Sequence, residues 1–300
     1  MPELPEVETV VRDLRLRAVG RTVTAVRVGA KALRTPWDAA WGPGVVGRRI
    51  DGLRRRGKWI VVELTGPRLV IHLGMTGQFT AVAATEPEPD HLHLVFALDD
   101  GTELRFRDVR RFGSVTRYPD EPAVEAFFAT ADLGPEPFGL DAAAFREALR
   151  GSARCLKAIL LDQTVVAGVG NIYADEACSH AGIHPARPGT SLTPTECDRL
   201  REAIEHVLTT AIAARGSTIR DYVGGSGLAG GYQLAHRVYG RTGEPCRTCG
   251  RAIECVRLAG RSSHFCPRCQ VPGDRKQGTG DKGQGVKSSG RKAGIKSRPT

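Results

Sequence analysis

Four cysteines of the 300-residue chain form two pairs, Cys246-x2-Cys249 and, sixteen residues on, Cys266-x2-Cys269. Each pair can aim two thiolates at one point, and sixteen residues suffice for a hairpin that returns the second pair. The pattern predicts one closed, structural Zn2+ site. Strands over residues 252–258 and 262–265 would leave Ala259, Gly260 and Arg261 at the turn. Arg261 would then sit at the tip of a rigid finger, or be an ordinary solvated charge. The chain start offers a different chemistry. Proline at position 2 favours removal of Met1. The secondary amine left behind has the low pKa of a chain terminus, about 7.7 to 8.0, so part of it is a free nucleophile at neutral pH. Glu3 and Glu6 beside it could shuttle protons, or merely complement the dipole of a first helical turn. A third candidate, Gly168-Val169-Gly170-Asn171-Ile172, lies between helical patterns at residues 156–162 and 172–181. Its glycines permit a tight turn, and Asn171 can open a helix whose free N–H groups suit a phosphate oxygen; an ordinary helix start fits the same residues.

The elements that must position these groups follow from periodicity. Val7, Val10, Val11 and Leu14 mark one face of a short N-terminal helix, with Pro5 near its first turn. From about residue 22 to 118, short β-like runs alternate with Gly and Pro, among them 58–64, 68–73, 91–98, 102–107 and 114–118. That spacing suggests a sandwich or barrel. The proline-bearing segment 120–138 separates the strands from a helical region and places a domain boundary near residue 135. The clearest helix spans about 195–215, with a stripe through Leu200, Ala203, Ile204, Val207, Leu208 and Ala211 and capping-box spacing at Thr193 and Glu196. Five glycines within residues 224–231 predict a mobile loop. Residues 271–300 hold eight Lys or Arg against two Asp, with almost nothing apolar, and are expected to be a disordered basic tail.

Lys and Arg exceed Asp and Glu by ten, and 41% of residues are apolar. The chain can therefore bury a core in each of about two domains, and its charge favours an anionic partner, although a solvated basic coat gives the same balance. No basic-then-apolar leader opens the chain, and no apolar run reaches the eighteen or so residues of a membrane span. The expected location is cytoplasmic, with cysteines as thiols or metal ligands.

Six motifs occur together in order: the opening Met1-Pro-Glu-Leu-Pro-Glu-Val-Glu-Thr, His72-Leu-Gly-Met-Thr-Gly, Asp108-Val-Arg-Arg-Phe-Gly, Gly168-Val-Gly-Asn-Ile-Tyr-Ala-Asp-Glu, Tyr239-Gly-Arg-Thr-Gly-Glu-Pro-Cys and the cysteine finger. Over about residues 1–270 the chain resembles the bacterial formamidopyrimidine-DNA glycosylases of the formamidopyrimidine/endonuclease VIII family. The resemblance implies an α+β fold: a catalytic N-terminal β-sandwich domain with the N-terminal helix (1–135), a helical helix-two-turn-helix DNA-binding domain (136–235) and a β-hairpin zinc finger (236–270), followed by the tail. It implies a DNA glycosylase and AP lyase of base excision repair. Such an enzyme removes oxidised purines, 8-oxoguanine and formamidopyrimidines, through a Schiff base at the N-terminal proline and nicks the strand by β,δ-elimination.

Residue by residue, Pro2 matches the family's nucleophile, Glu3 the proton donor of sugar-ring opening and Glu6 a supporting carboxylate. Lys58 resembles the lysine of β-elimination and phosphate contact, and Arg261 the finger arginine of δ-elimination. Met75, Arg110 and Phe112 resemble the trio that fills the void left by a flipped nucleotide, where an inserted apolar wedge offsets the few kcal/mol of unstacking. His72, His91, Arg154, Lys157 and Asn171, with Arg110, resemble DNA-contacting positions. The implied partner is damaged double-stranded DNA, with no membrane, and the chain is expected to act as a nucleoid-associated monomer. Residues 218–231 align with the loop that closes over the lesion base, yet Gly224-Gly225-Ser226-Gly227 is unusually glycine-rich, and Ser262-Ser263-His264-Phe265 is less aromatic than in some members. Two other readings remain. An endonuclease VIII-like enzyme for oxidised pyrimidines is opposed by Leu4 and the Arg110-Arg111-Phe112 run. A non-catalytic zinc-finger protein that binds damaged DNA would need no Pro2, Glu3 and Lys58 together.

Overall fold

The computed structural model describes residues 1–218 and 222–270, so the tail expected over 271–300 lies outside the described residues. Helix α1 (Leu4–Ala18) forms where apolar residues repeat along one face, with Pro5 in its first turn, where a missing N–H costs nothing. The helix joins two cores. Val7, Val10, Val11, Leu14 and Ala18 are buried among strand residues, whereas Leu4 packs into the helical domain.

Eight strands follow: β1 (Val23–Val28), β2 (Ile50–Arg56), β3 (Trp59–Leu64), β4 (Arg68–His72), β5 (Gly77–Ala83), β6 (Leu92–Leu98), β7 (Thr102–Asp108) and β8 (Ser114–Tyr118). They form two antiparallel four-stranded sheets, ordered β1-β6-β7-β5 and β2-β3-β4-β8. Ile60, Val62, Leu69 and Ile71 of the second sheet share one core with Phe79, Phe96, Leu104 and Phe106 of the first, which makes a sandwich. Alternate residues Val61 and Val70 face outward and are nonetheless buried. Helix α2 (Glu121–Thr130) covers them with Val124 and Phe128. This corrects the reading of 120–138 as a mere separator. Asp120 caps the helix by accepting from Ala123 N, and Pro122 sits in the first turn, so the proline starts a helix instead of breaking one.

Helices α3 (Ala142–Arg150), α4 (Leu156–Leu161), α5 (Asn171–Ala181) and α6 (Pro194–Ala213) build the second core around Leu156, Tyr173, Leu200, Ile204 and Leu208. The capping box of Thr193 and Glu196 is formed at the start of α6. The finger is a hairpin of β9 (Glu254–Leu258) and β10 (Arg261–Phe265), turned by Ala259 and Gly260 with φ of 47° and 72°. Arg261 therefore begins β10 opposite Leu258 instead of lying in the turn.

Two neighbouring carboxylates on α5 fasten the finger to the helices. Glu176 accepts the backbone N–H groups of Arg237, Val238 and Tyr239 at 2.8 to 3.0 Å. Asp175 accepts His264 N at 2.9 Å through Oδ2 and Lys157 Nζ at 2.6 Å through Oδ1. Residues 224–231, expected to be mobile, are instead tied down: Gly225 O accepts Ala81 N at 3.0 Å and Gly231 N donates to Ala214 O at 2.8 Å. Among the described residues no helix is long and apolar enough to cross a membrane.

Candidate active site

The site is organised by the first turn of α5. Gly168 has φ of 89°, and a Cβ there would lie 2.6 Å from the Leu4 side chain; a Cβ at Gly170 would lie 2.4 Å from Glu3 Cδ. The two glycines thus form a socket for the chain start. Leu4 N donates to Gly168 O at 3.1 Å, and the Glu3 carboxylate accepts Ile172 N at 2.9 Å and Tyr173 N at 3.4 Å. The positive end of α5 holds an anion, as its free N–H groups suggest, but that anion is Glu3 and not a phosphate.

Glu6 lies one turn further along α1. Its Oε2 accepts Glu3 N at 2.8 Å, and its Oε1 faces the Tyr173 hydroxyl at 2.5 Å and accepts Ser217 N at 2.7 Å. Burial, reinforced by the nearby Glu3 carboxylate, pushes Glu6 up to about 7. Tyr222 donates its hydroxyl to Glu6 O at 3.1 Å, which adds a second tyrosine hydroxyl contact to this first turn.

Two adjoining cavities flank Met1, Met75, Ile172 and Tyr239, which line both. The first, about 340 Å³, is also walled by Pro2, Glu6, Thr76, Arg110, Ser217 and Tyr222. The second, about 400 Å³, brings together Glu3, Lys58, Asn171 and Arg261. Met1 is half exposed over a buried Pro2, so its loss bares the secondary amine between the two cavities. Lys58 is 8% exposed; burial pulls its ammonium below the usual lysine range, helped by Arg261 and opposed by Glu3 and Glu6.

The loops carrying Met75, Arg110 and Phe112 are held together by Asp108. Its buried carboxylate accepts the Thr76 hydroxyl at 2.5 Å, Arg110 N at 3.2 Å and Gly113 N at 2.7 Å. The guanidinium groups of Arg34 and Arg110 sit 3.9 and 4.8 Å from the Phe112 ring centroid, the geometry of cation–π contact. Met75 remains 36% exposed.

The remaining expected DNA contacts separate. Lys157 is wholly buried, with Nζ bonded to Asn171 O at 2.7 Å and to Asp175. No surface is left for a phosphate, so the expectation of direct DNA contact is corrected to a positioning role beneath Asn171. His72 turns inward: Nδ1 accepts Gly74 N at 3.1 Å, its ring lies 4.6 Å from Trp59, and burial followed by the nearby Lys58 charge lowers it to about 4. It is a half-buried, neutral support for the Met75 loop, a state in which an imidazole can still meet DNA by hydrogen bonding. Arg154 is exposed and paired with Asp162 at 2.8 Å. His91, with φ of 64°, precedes β6 and lines a separate depression beside Arg27 and Glu88. Sequence reasoning missed Thr76, Asp108, Tyr173, Ser217 and Tyr222 as site residues. Thr76, Asp108 and Tyr173 stand inside quoted motifs and Tyr222 in the 218–231 stretch, whereas Ser217 carries no local signal.

The four finger sulphurs lie within 4.8 Å of one another, at 3.9 Å for Cys246–Cys269 and 3.5 Å for Cys249–Cys266. A tetrahedron with Zn–S of about 2.3 Å requires S···S near 3.8 Å, so the set fits one structural zinc. Thr248 N and Cys269 N point at Cys246 Sγ and Cys266 Sγ, each at 3.4 Å, and so support thiolate charge.

Three sequence profiles match: the formamidopyrimidine-DNA glycosylase N-terminal domain over residues 1–115, the H2TH domain of the same enzymes over 133–223, and a zinc finger found in FPG and IleRS over 243–271. The formamidopyrimidine-DNA glycosylase of Geobacillus kaustophilus is 45% identical over 274 residues, covering 90% of this chain and 100% of the relative. That of Heliobacterium modesticaldum is 48% identical over 282 residues, with the same coverage. A Lactococcus lactis Fpg in complex with DNA containing an abasic site has a TM-score of 0.84 at 36% identity, covering 90% of this chain and 99% of its own. A Lactococcus lactis Fpg mutant bound to Fapy-dG containing DNA matches with the same score at 37% identity, covering 90% of this chain and 100% of its own. With all three of its parts matched in order and its terminal proline seated against the same cleft as the finger arginine, the chain belongs to the formamidopyrimidine-DNA glycosylase family.

Proposed function

We propose that this chain excises oxidised purines, 8-oxoguanine and formamidopyrimidines, from double-stranded DNA and then cuts the strand by successive β- and δ-elimination. As a member of its family it is a DNA glycosylase of base excision repair with AP lyase activity. One observation carries the finer reading: the adjacent Pro2 and Glu3 and the sequence-distant Lys58 and Arg261 line two cavities that share a wall. After loss of Met1, the Pro2 nitrogen attacks C1′ and the damaged base leaves with the C1′–N bond electrons. The Glu3 carboxylate, fixed by two amides of α5, takes the proton that the attacking Pro2 nitrogen releases and passes it to the ring oxygen O4′, so that the sugar ring opens and leaves an iminium. Lys58, with a lowered proton affinity, is suited to the proton transfer of β-elimination, and Arg261 grips the phosphate that departs in the δ step. Met75, Arg110 and Phe112 fill the emptied stack, while His91, Asn171 and Arg154 contact the DNA backbone. The zinc holds the hairpin and takes no part in chemistry.

We retain the division at 1–135, 136–235 and 236–270, and place the enzyme in the bacterial cytoplasm, on the nucleoid, as a monomer. A second reading keeps some support, because a Lactococcus lactis relative of 36% identity is seen with DNA containing an oxidised pyrimidine. The test is borohydride trapping of the Met1-processed, zinc-loaded protein on duplexes carrying 8-oxoguanine or an oxidised pyrimidine. The expected result is a covalent adduct at Pro2, formed preferentially on the purine. No adduct on either duplex overturns the enzyme reading, and preference for the pyrimidine overturns the substrate assignment.

A further inference from the structure

Asp13 stands on α1, one turn beyond Thr9, with its carboxylate only 9% exposed. It has no place in the chemistry above, yet it collects four hydrogen bonds from two distant residues. Oδ1 accepts Arg215 Nη1 at 3.1 Å; Oδ2 accepts Arg215 Nη2 at 2.7 Å, Ser226 N at 3.1 Å and Ser226 Oγ at 2.8 Å. Arg215 also reaches Ser226 Oγ directly at 3.0 Å. Between Arg215 and Ser226 lie Ser217 and Tyr222, which wall the cavity beside Pro2 and hydrogen-bond Glu6. A single carboxylate therefore joins Arg215 to Ser226, the residues that bracket Ser217 and Tyr222 in the wall of that cavity. The glycines of the loop follow from this seat. A Cβ at Gly224 would lie 2.6 Å from Asp13 Oδ2, and one at Gly225 would lie 2.8 Å from Val10 O.

We propose that Asp13 is a positioning residue for base excision: by clamping Arg215 to Ser226 it holds Ser217 and Tyr222 in place around the extruded lesion base. The inference rests on the proposed function. Unclamped, the loop must be ordered at the moment the base enters, and that entropy is charged to the excision step. Strand cleavage at a preformed abasic site places no base in the cavity and needs no such wall.

The experiment compares full-length, zinc-loaded, Met1-processed protein with its Asp13→Ala and Ser226→Ala variants under single-turnover conditions. One duplex carries 8-oxoguanine and the other a preformed abasic site. Asp13→Ala is expected to slow base release about tenfold, and Ser226→Ala less, while both cut the abasic duplex within about twofold of wild type. Amide hydrogen exchange in the DNA-free protein should accelerate at Ser217 and Ser226 while the cores of the sandwich and helices keep their protection. Unchanged base release, or equal losses on both duplexes, overturns the inference. If wild type releases no base, the proposed function fails on its own account, and unchanged exchange at Ser217 and Ser226 then overturns the clamp independently.

Discussion

Glu6 is buried within reach of a second carboxylate, and this has a thermodynamic signature. Its folded pKa of about 7 exceeds the ordinary value of about 4.5, so between those limits the folded chain retains a proton that the unfolded chain releases. The stability contributed by this group is fully present below about pH 4.5 and is lost as pH rises through about 7. The difference is about 3 kcal/mol. Thermal melting of the DNA-free enzyme should therefore fall between about pH 5 and pH 7, more steeply in wild type than in Glu6→Gln; matching slopes would remove Glu6 as the cause. Glu3 shows the limit of residue-level reading. Its acidity and its place beside Pro2 are visible in the sequence, but its partners, Ile172 N and Tyr173 N, come from 169 and 170 residues away.

Helix α5 is the element on which the site converges. Its first amides hold Glu3, its Tyr173 meets Glu6, and its Asp175 and Glu176 hold the finger through His264 and the 237–239 backbone. The hairpin carrying Arg261 is thus referenced to the helix that positions Glu3. Arg261→Ala is expected to leave base release and β-cleavage near wild type and to abolish most of the δ product, as read by the end groups of the cleaved strand. Normal δ product would take Arg261 out of that step. Most elements were legible from periodicity and capping, including α1, α6 and the strands β3, β4 and β6 to β8. Helix α2 was not, because its prolines read as breaks until Pro122 is seen in a first turn. The 224–231 segment shows a related effect: two of its glycines, Gly224 and Gly225, serve close approach to α1.

At the scale of the molecule, α1 belongs to both cores, so the catalytic terminus is fixed by the same packing that joins the domains. The net charge of ten is less informative than it looks. Six of those charges lie in residues 271–300, and four thiolates on Zn2+ remove two more, which leaves the folded body only weakly cationic. A few placed cations, Lys58, Arg110 and Arg261, line the two cavities, and we propose that residues 271–300 supply sequence-independent attraction to phosphates. Deleting 271–300 should weaken DNA association and flatten the slope of log Kd against log salt, yet leave excision intact at saturating DNA. Loss of excision under those conditions would contradict this division.

What the sequence determined by itself was whatever depends on near neighbours: the paired cysteines, the secondary amine that Pro2 makes possible, and the faces of helices and strands. Tertiary structure alone decided which charges are exposed and which are paired. Lys157 looked like a DNA contact until Asp175 buried it. Asp13 carries no signal in the sequence; only the fold closes Arg215 and Ser226 over it. The physical reason is that backbone preference and side-chain periodicity act over a few residues. Desolvation and ion pairing depend on groups that the fold brings together from up to two hundred residues away.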